Sequence, residues 1–323
     1  MSGGVTVAIP VLDGGPLLGE LLRAVRAQVL DRPVELLVAD SGSSDGSARL
    51  ARDAGATVFE VARYSHGGTR NELMARASGA HVAFLTQDAV PAGERWLERL
   101  LGAFALADDV GLAYGPYRPR PGAPVAVARE LEGWFRSLAP DGEVRVDRTR
   151  TPRGPGAETF FTDANACVAR AAWERVPFRE VPYAEDQALA LDMLRAGYAK
   201  VYVPEAAVVH SHEYGVVAQF RRSFDEWRGL REIHGWVEPA APLPALLTIQ
   251  SRVRGDLRSL KGRGLPARAV AREGARSLRH WTVRAAGAAA GSRADRLPPS
   301  LRGRLSLERR ETFEPAQELK TDR

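Results

Sequence analysis

Residues 5–40 read VTVAIPVLDGGPLLGELLRAVRAQVLDRPVELLVAD. Val5, Val7 and Ile9 recur at every second position up to Pro10. That is the pattern of a strand, whose alternate side chains share a face. Leu17, Leu18, Leu21, Leu22, Val25 and Val29 then follow at helical spacing. VELLVAD (34–40) is a second apolar run, short enough for a buried strand, and it ends on a carboxylate, Asp40. Strand, helix and strand in this order make the βαβ unit of a parallel sheet.

The same alternation continues outward. SSDGSARLARDAG reads as a capped helix closing at Gly55, and TVFEV (57–61) as a third strand. TRNELMARASG is a helix with Gly79 past its end, and HVAFLTQD (81–88) a fourth strand halted before Pro91. WLERLLGAFALA and VGLAYGP complete another unit. From 117 to 157 the pattern lapses into a stretch rich in Pro, Gly and Arg around the helix VARELEGWFRSL, where a mobile loop over an acceptor is expected. ETFFTDANACVARAAW (158–173) returns to strand then helix. AEDQALALDMLRAGY is a helix, KVYVP a strand and GVVAQFRRSFDEWRGLREIHGW a long amphipathic helix. The fold class is α/β, a mostly parallel sheet flanked by helices, over residues 1–238. A basic helical region, 239–311, and a polar tail, 312–323, follow it.

Charge separates these parts. Residues 1–250 carry a net −5 and residues 251–311 a net +11. The basic region either meets an anionic membrane surface, at about 1 kcal/mol per basic residue close to the bilayer, which is the favoured reading, or merely faces solvent. Sparse aromatics and the lack of a recognition motif argue against nucleic acid. No apolar run reaches the ~20 residues of a membrane span, and the N-terminus has no secretory signal, so a cytoplasmic location, with peripheral contact at the inner face of the membrane, is the expectation. The single cysteine, Cys167, excludes an internal disulfide.

Ligands of an open parallel sheet bind outside the carboxyl ends of its strands. Asp40 and Asp88 end the second and fourth strands and so fall on one rim. Neither acid alone signals more than a turn or cap. Together, with Ser41, Gly42, Ser43 and Ser44 after the first, they suggest a crevice; Asp45 before Gly46-Ser47 fits a plain helix cap. VLDGGPLLGE lacks both a phosphate loop and a GxGxxG turn. A diphosphate would then be held through a divalent cation on carboxylates. Arg70 is placed to meet a phosphate bidentately, after a flexible approach loop, His66-Gly67-Gly68-Thr69.

VTVAIPVLDGG, VADSGSSDGS, SHGGTRNELMARASGAHVAFLTQDAVP, AEDQALALDMLRAGY and VVHSH, in this order, resemble the inverting glycosyltransferases of family 2, with the GT-A fold. The HGGTRN and TQDAVP segments resemble its bacterial rhamnosyltransferase-like branch. The likeness spans about residues 5–235 and touches LPPSLRGRLS near the C-terminus. It implies a nucleotide-diphosphate sugar donor, dTDP-rhamnose being the candidate, and a glycan or lipid-linked acceptor in cell-envelope polysaccharide synthesis.

By that resemblance Pro10, Asp40, Ser41, Gly42, His66, Arg70, Asn71, Gln87 and Asp88 line the donor. Asp88 stands at the last acid of the family's Asp-x-Asp motif. Thr86 replaces the first, so one expected metal ligand is missing. His210 is the implied extra ligand, and an imidazole favours Mn²⁺ over Mg²⁺; a bland reading leaves His210 and His212 as surface histidines. Glu185 and Asp186 match the acidic base motif: Asp186 as general base, Glu185 orienting it or binding acceptor, with Asp163 and Asn165 on the acceptor side. A helix-dipole role for the two acids is the plain alternative. Trp134 could stack on sugar or lipid, or simply pack. Two competing functions remain: a nucleotidyltransferase, which would need a basic Gly-rich loop after the first strand, and a sugar-nucleotide-binding protein that has lost catalysis, for which Thr86 speaks.

Overall fold

The computed structural model describes residues 4–308; the tail at 312–323 lies outside them. The main sheet holds β1 (Val5–Val11), β2 (Val34–Asp40), β3 (Thr57–Glu60) and β4 (His81–Leu85). A short strand, β5 (Val90–Pro91), leaves it, and β6 (Val110–Tyr114) returns to it. Then come β7 (Tyr117–Arg118), β8 (Arg145–Asp147), β9 (Asn165–Ala169), β10 (Ala199–Tyr202) and β11 (Val208–Val209). The large sheet runs β3-β2-β1-β4-β9-β6-β10-β8, and β5-β11-β7 form a small one. β3, β2, β1 and β4 are mutually parallel, as are β6 and β10, while β9 and β8 run antiparallel to their neighbours.

The helices are α1 (Gly15–Arg26), α2 (Ser47–Asp53), α3 (His66–Arg76), α4 (Trp96–Gly102), α5 (Val125–Leu138), α6 (Arg170–Trp173) and α7 (Glu185–Arg195). α8 (Val216–His234), α9 (Pro242–Ser259), α10 (Ala267–Gly291) and α11 (Pro299–Leu305) complete the set. Alternation along the strands divides the core in two. Val5, Val7, Ile9, Leu36 and Val38 pack with Leu18, Leu21, Trp96 and Leu97 on the α1/α4 side. Ala8, Leu37, Val82 and Phe84 pack with Leu73, Met74, Phe135 and Leu189 on the other. Each strand buries both faces, which is why its sequence reads as an apolar run.

Four sequence expectations change. The fourth strand stops at Leu85, and Thr86–Ala89 is a turn closed by the Ala89 N–H on the Thr86 carbonyl. Residues 158–164 are not strand: β9 begins only at Asn165, which lies opposite Leu85 at the carboxyl end of β4, and it runs antiparallel to β4 and β6. His66–Thr69 is the first turn of α3 and no flexible loop, because Ser65 Oγ accepts from the Gly68 N–H at 3.0 Å. Its glycines serve close approach: a Cβ on Gly67 would lie 2.0 Å from the Arg179 carbonyl oxygen. The stretch 117–157 is no free loop either. α5 buries Phe135 and Leu138, and β8 closes the sheet edge by seating Asp147 2.8 Å from the fully buried Lys200 ammonium. Trp134 meets Phe160 edge-on at 5.1 Å, the packing alternative.

The basic helices fold back on the rest of the chain. α10 lies against α8 so closely that Cβ atoms on Gly287 and Gly291 would fall 2.7 and 2.2 Å from the carbonyl oxygens of Phe220 and Phe224. α9 is tied in by Asp256, which is buried and accepts from Ser277 Oγ (2.6 Å) and Trp281 Nε1 (2.8 Å) and pairs with Arg129 of α5. No helix among the described residues is long and apolar enough to cross a membrane.

Candidate active site

Parallel β1, β2 and β4 deliver their carboxyl ends to one rim, and antiparallel β9 brings its first residues to the same place, with Asn165 opposite Leu85. Pro10 lies in β1 beyond Ala8↔Phe84, the last pairing with β4, where a missing N–H costs least. At the β2 end, Asp40 Oδ2 accepts from the N–H groups of Gly42 (3.3 Å) and Ser43 (3.2 Å). Gly42 holds φ +94°, the left-handed region that glycine supplies. Asp40 Oδ1 and Ser41 Oγ are buried without partners among the described residues. Such orphans cost about 1–3 kcal/mol each unless a ligand meets them.

Gln87, expected against the donor, has another employment. Its Oε1 accepts from the Leu12 N–H at 2.7 Å and its Nε2 donates to the Leu12 carbonyl at 2.9 Å. A carboxylate could only accept, so an Asp here could not make this clamp. Asn71 is likewise turned inward: its Oδ1 accepts from Trp173 Nε1 (2.8 Å) and the Phe178 N–H (3.0 Å), and its Nδ2 donates to the Phe178 carbonyl. Asn165 is fully buried, accepting from Trp96 Nε1 at 2.7 Å and donating to the carbonyls of Ala206 and Pro116. Its amide has nothing left for an acceptor.

Arg70 also departs from expectation. The guanidinium is buried and grips Asp163 with two prongs, one of them Nη2 to Oδ1 at 2.7 Å; Nη1 lies 3.1 Å from Glu185 Oε1 and donates to the His66 carbonyl. Burial pushes the Asp163 carboxyl up, and the Arg70 guanidinium beside it works against that rise. Arg70 is thus the internal counter-ion of the acid cluster, and its fork is not free for a phosphate. Arg120, which the sequence reading passed over, stands closer to that task. Arg120 Nη2 donates to the Asp88 carbonyl and its Nε is buried without a partner. Arg222 lies 4.6 Å over the Tyr183 ring.

The acid pair opens α7. Ala184 before it holds a left-handed φ of 66°, rare for a side-chain-bearing residue and a mark of local constraint. Gly229 of α8 admits this turn, since a Cβ there would lie 2.8 Å from the Ala184 Cβ. Glu185 is buried; burial works against its charge, but His66, 3.8 Å away, and Arg70 hold its pKa below the ordinary value. Burial, and then the Glu185 charge, push Asp186 up to about 7.

Across the rim, Asp88 Oδ2 lies 3.4 Å from His210 Nδ1 and 3.7 Å from His212 Nε2, and one ligand atom from each of the three falls within a 4.8 Å group. His210 is buried, its Nδ1 without a hydrogen-bond partner, and so is no surface histidine. His212 was missed as a ligand, although the i, i+2 spacing in VVHSH offered the signal. Burial and His210 lower the His212 pKa to about 4, so its imidazole is neutral, the form that binds metal. Burial opposes the Asp88 charge, but the neighbouring His210 more than offsets it and holds the carboxyl below its ordinary range. An orphaned imidazole nitrogen, a neutral imidazole and an ionised carboxylate fit a divalent cation. Tyr117 stands between the two clusters, 4.9 Å from the His210 ring and hydrogen-bonded to Thr162 beside Asp163.

A model of the family described as Glycosyl transferase family 2 matches residues 6–162. The O-antigen chain rhamnosyltransferase RfbN of Salmonella typhimurium is 33% identical over 230 residues, 68% of this chain and 70% of that one. The chain belongs to glycosyltransferase family 2. WbaN of Salmonella anatum, also an O-antigen chain rhamnosyltransferase, is 29% identical over 229 residues, covering 68% of this glycosyltransferase and 70% of WbaN. Among solved structures, the Pyrobaculum calidifontis mannosyltransferase PcManGT, in complex with GDP-Man and Mn²⁺, superimposes with a TM-score of 0.59 at 22% identity over 90% of this chain and 86% of that one. Glucosyl-3-phosphoglycerate synthase from Mycobacterium tuberculosis gives 0.52 at 19% identity, over 74% and 82%. These neighbours fix the fold as the GT-A arrangement.

Proposed function

We propose that this glycosyltransferase moves a sugar, with inversion, from a nucleotide-diphosphate donor to a hydroxyl of a glycan or lipid-linked acceptor in cell-envelope polysaccharide synthesis. One observation carries the reading: a metal-fitting Asp88/His210/His212 cluster and a carboxyl tuned to about 7, Asp186, share one rim on either side of Tyr117. The two rhamnosyltransferase relatives favour a rhamnosyl donor, and dTDP-rhamnose is the first to try. PcManGT, solved with a nucleotide sugar and Mn²⁺, favours a cation in this fold.

In this reading Asp40 and Ser41 meet the nucleotide with their unpartnered oxygens. Asp88, His210 and His212 would hold a divalent cation, which supplies charge neutralisation to the diphosphate. Arg120 adds positive charge on the leaving-group side. Asp186, once ionised, takes the acceptor proton as the hydroxyl attacks the anomeric carbon. Glu185 stays ionised and keeps Asp186 basic, and Asp163 neutralises Arg70 so that Arg70 does not quench the base. Residues 1–238 carry these groups, and the basic helices of 239–311 meet an anionic membrane where lipid-linked acceptors lie.

The test is hydrolysis of dTDP-rhamnose, UDP-glucose and GDP-mannose by chelator-treated protein resupplied with Mn²⁺ or Mg²⁺. The wild type should turn over one donor with Mn²⁺ ahead of Mg²⁺. Asp186→Asn should lose about 10²–10⁴-fold in kcat, and His210→Ala about 10–100-fold at limiting Mn²⁺. Equal turnover by wild type and Asp186→Asn would remove Asp186 from the chemistry.

A further inference from the structure

We propose that Ser306–Glu308, at the far end of the described chain, forms a strap that completes the transfer site, with Glu308 as a positioning residue for the Glu185–Asp186 turn. The strap is anchored by Asp225 of α8, whose buried carboxylate accepts from the N–H groups of Leu307 (2.7 Å) and Glu308 (3.2 Å). These two bonds fix the direction in which Glu308 leaves the backbone. Its Oε2 lies 3.2 Å from His66 Nε2, and its Oε1 lies 3.8 Å from Arg222 Nη1.

His66 and Arg222 both hold the same ring. His66 meets Tyr183 edge-on at 6.4 Å, and the Arg222 guanidinium covers its face at 4.6 Å. Tyr183 is followed directly by Ala184, whose left-handed conformation aims Glu185 and Asp186. A carboxylate can only accept, so Glu308 places a proton on His66 Nε2 and leaves Nδ1 facing the Tyr64 hydroxyl (3.1 Å) and Glu185 (3.8 Å). One side chain just past the last helix thereby sets the orientation of the two groups that clamp a strained turn. A displacement well below a bond length at a base costs a large factor in rate, since attack geometry is narrow.

The inference rests on the reading of Asp186 as the base, so its experiment has an arm that does not. In the full-length protein, Glu308→Ala should lower kcat for hydrolysis of whichever nucleotide sugar the wild type turns over by roughly ten- to hundredfold, with the donor KM within about twofold because the donor pocket lies across Tyr117. Glu308→Asp should recover part of the loss. Hydrogen exchange of the amides at 184–188 should quicken in Glu308→Ala and return towards the wild-type rate in Glu308→Asp. Wild-type kcat and exchange in Glu308→Ala would overturn the proposal. So would a higher kcat, which would make the strap an obstruction of the mouth, or an equal change in KM and kcat. If the alanine variant fails to fold, Glu308→Gln, which keeps one acceptor oxygen without the charge, decides by the same two readouts. If the wild type turns over none of the three donors, the transfer reading fails and the exchange rates alone judge the strap.

Discussion

Asp186 shows how neighbouring charges tune one carboxyl. Its folded pKa, about 7, lies above the ordinary carboxyl value of 3.8 because burial and Glu185 disfavour its charge. A base must be ionised, so kcat for donor turnover should climb as pH rises through about 7 and level off above it, and the limb should vanish in Asp186→Asn. The same shift acts on stability with the opposite sign. The folded state holds a proton that the unfolded state has released, so wild-type stability falls as pH rises from about 4 to about 7 and is then flat. Thermal melts should show that decline in the wild type and not in Asp186→Asn; parallel melting curves would place the raised pKa elsewhere. At this scale the sequence was readable only where a residue type narrows its own chemistry. Asp40, Asp88, Glu185 and Asp186 were singled out as candidates from strand ends and motif order, and His212 could have joined them from its spacing. Gln87, Asn71, Asn165 and Arg70 could not be assigned, because an amide or guanidinium serves a backbone carbonyl or an internal acid as readily as a ligand, and the choice depends on partners up to about a hundred residues away.

Elements meet here through absent side chains. Gly229 lets α8 approach the turn before α7, and Gly287 and Gly291 let α10 lie on α8. Gly229→Ala would set a Cβ 2.8 Å from that of Ala184, whose backbone has no relaxed alternative. It should destabilise by about 1–3 kcal/mol, read by urea denaturation, and should lower kcat as well because the displaced turn carries the acids. Unchanged stability with unchanged kcat would show the turn to be softer than its φ of 66° implies. Helices and strands themselves were legible from periodicity, which reports burial directly. Antiparallel β9 was not: after Asn165 its residues are apolar like those of the parallel strands, and an apolar run carries no sign of its direction. The capped glycines of α3 were misread for a related reason, since Gly-Gly signals flexibility unless a neighbour such as the Arg179 carbonyl explains it.

Over the whole molecule, charge was legible and contact was not. The basic helices were expected as an appendage, yet they clasp α8 and α5 and reach the site through Glu308. α9 still turns one face outward. Leu243, Leu246 and Leu247 are more than half exposed, Arg254 and Arg258 continue the same helical face, and Lys261 follows just past its end, the three cations having no ion pair among the described residues. Such a face suits the headgroup region of an anionic bilayer. The protein should therefore sediment with vesicles containing phosphatidylglycerol and not with phosphatidylcholine alone, less so at high salt, and replacing the three leucines by Gln should abolish it. Sedimentation independent of vesicle charge would point to another occupant. β9 has a last consequence, for anyone trimming the gene. It alone joins β4 to β6, and the stretch recognised as the family's signature closes at residue 162, before β9 begins at Asn165. A fragment cut to that signature would lose β10 as well, keeping β3-β2-β1-β4 with a raw edge and leaving β6 and β8 without neighbours, prone to stick to other copies rather than to fold.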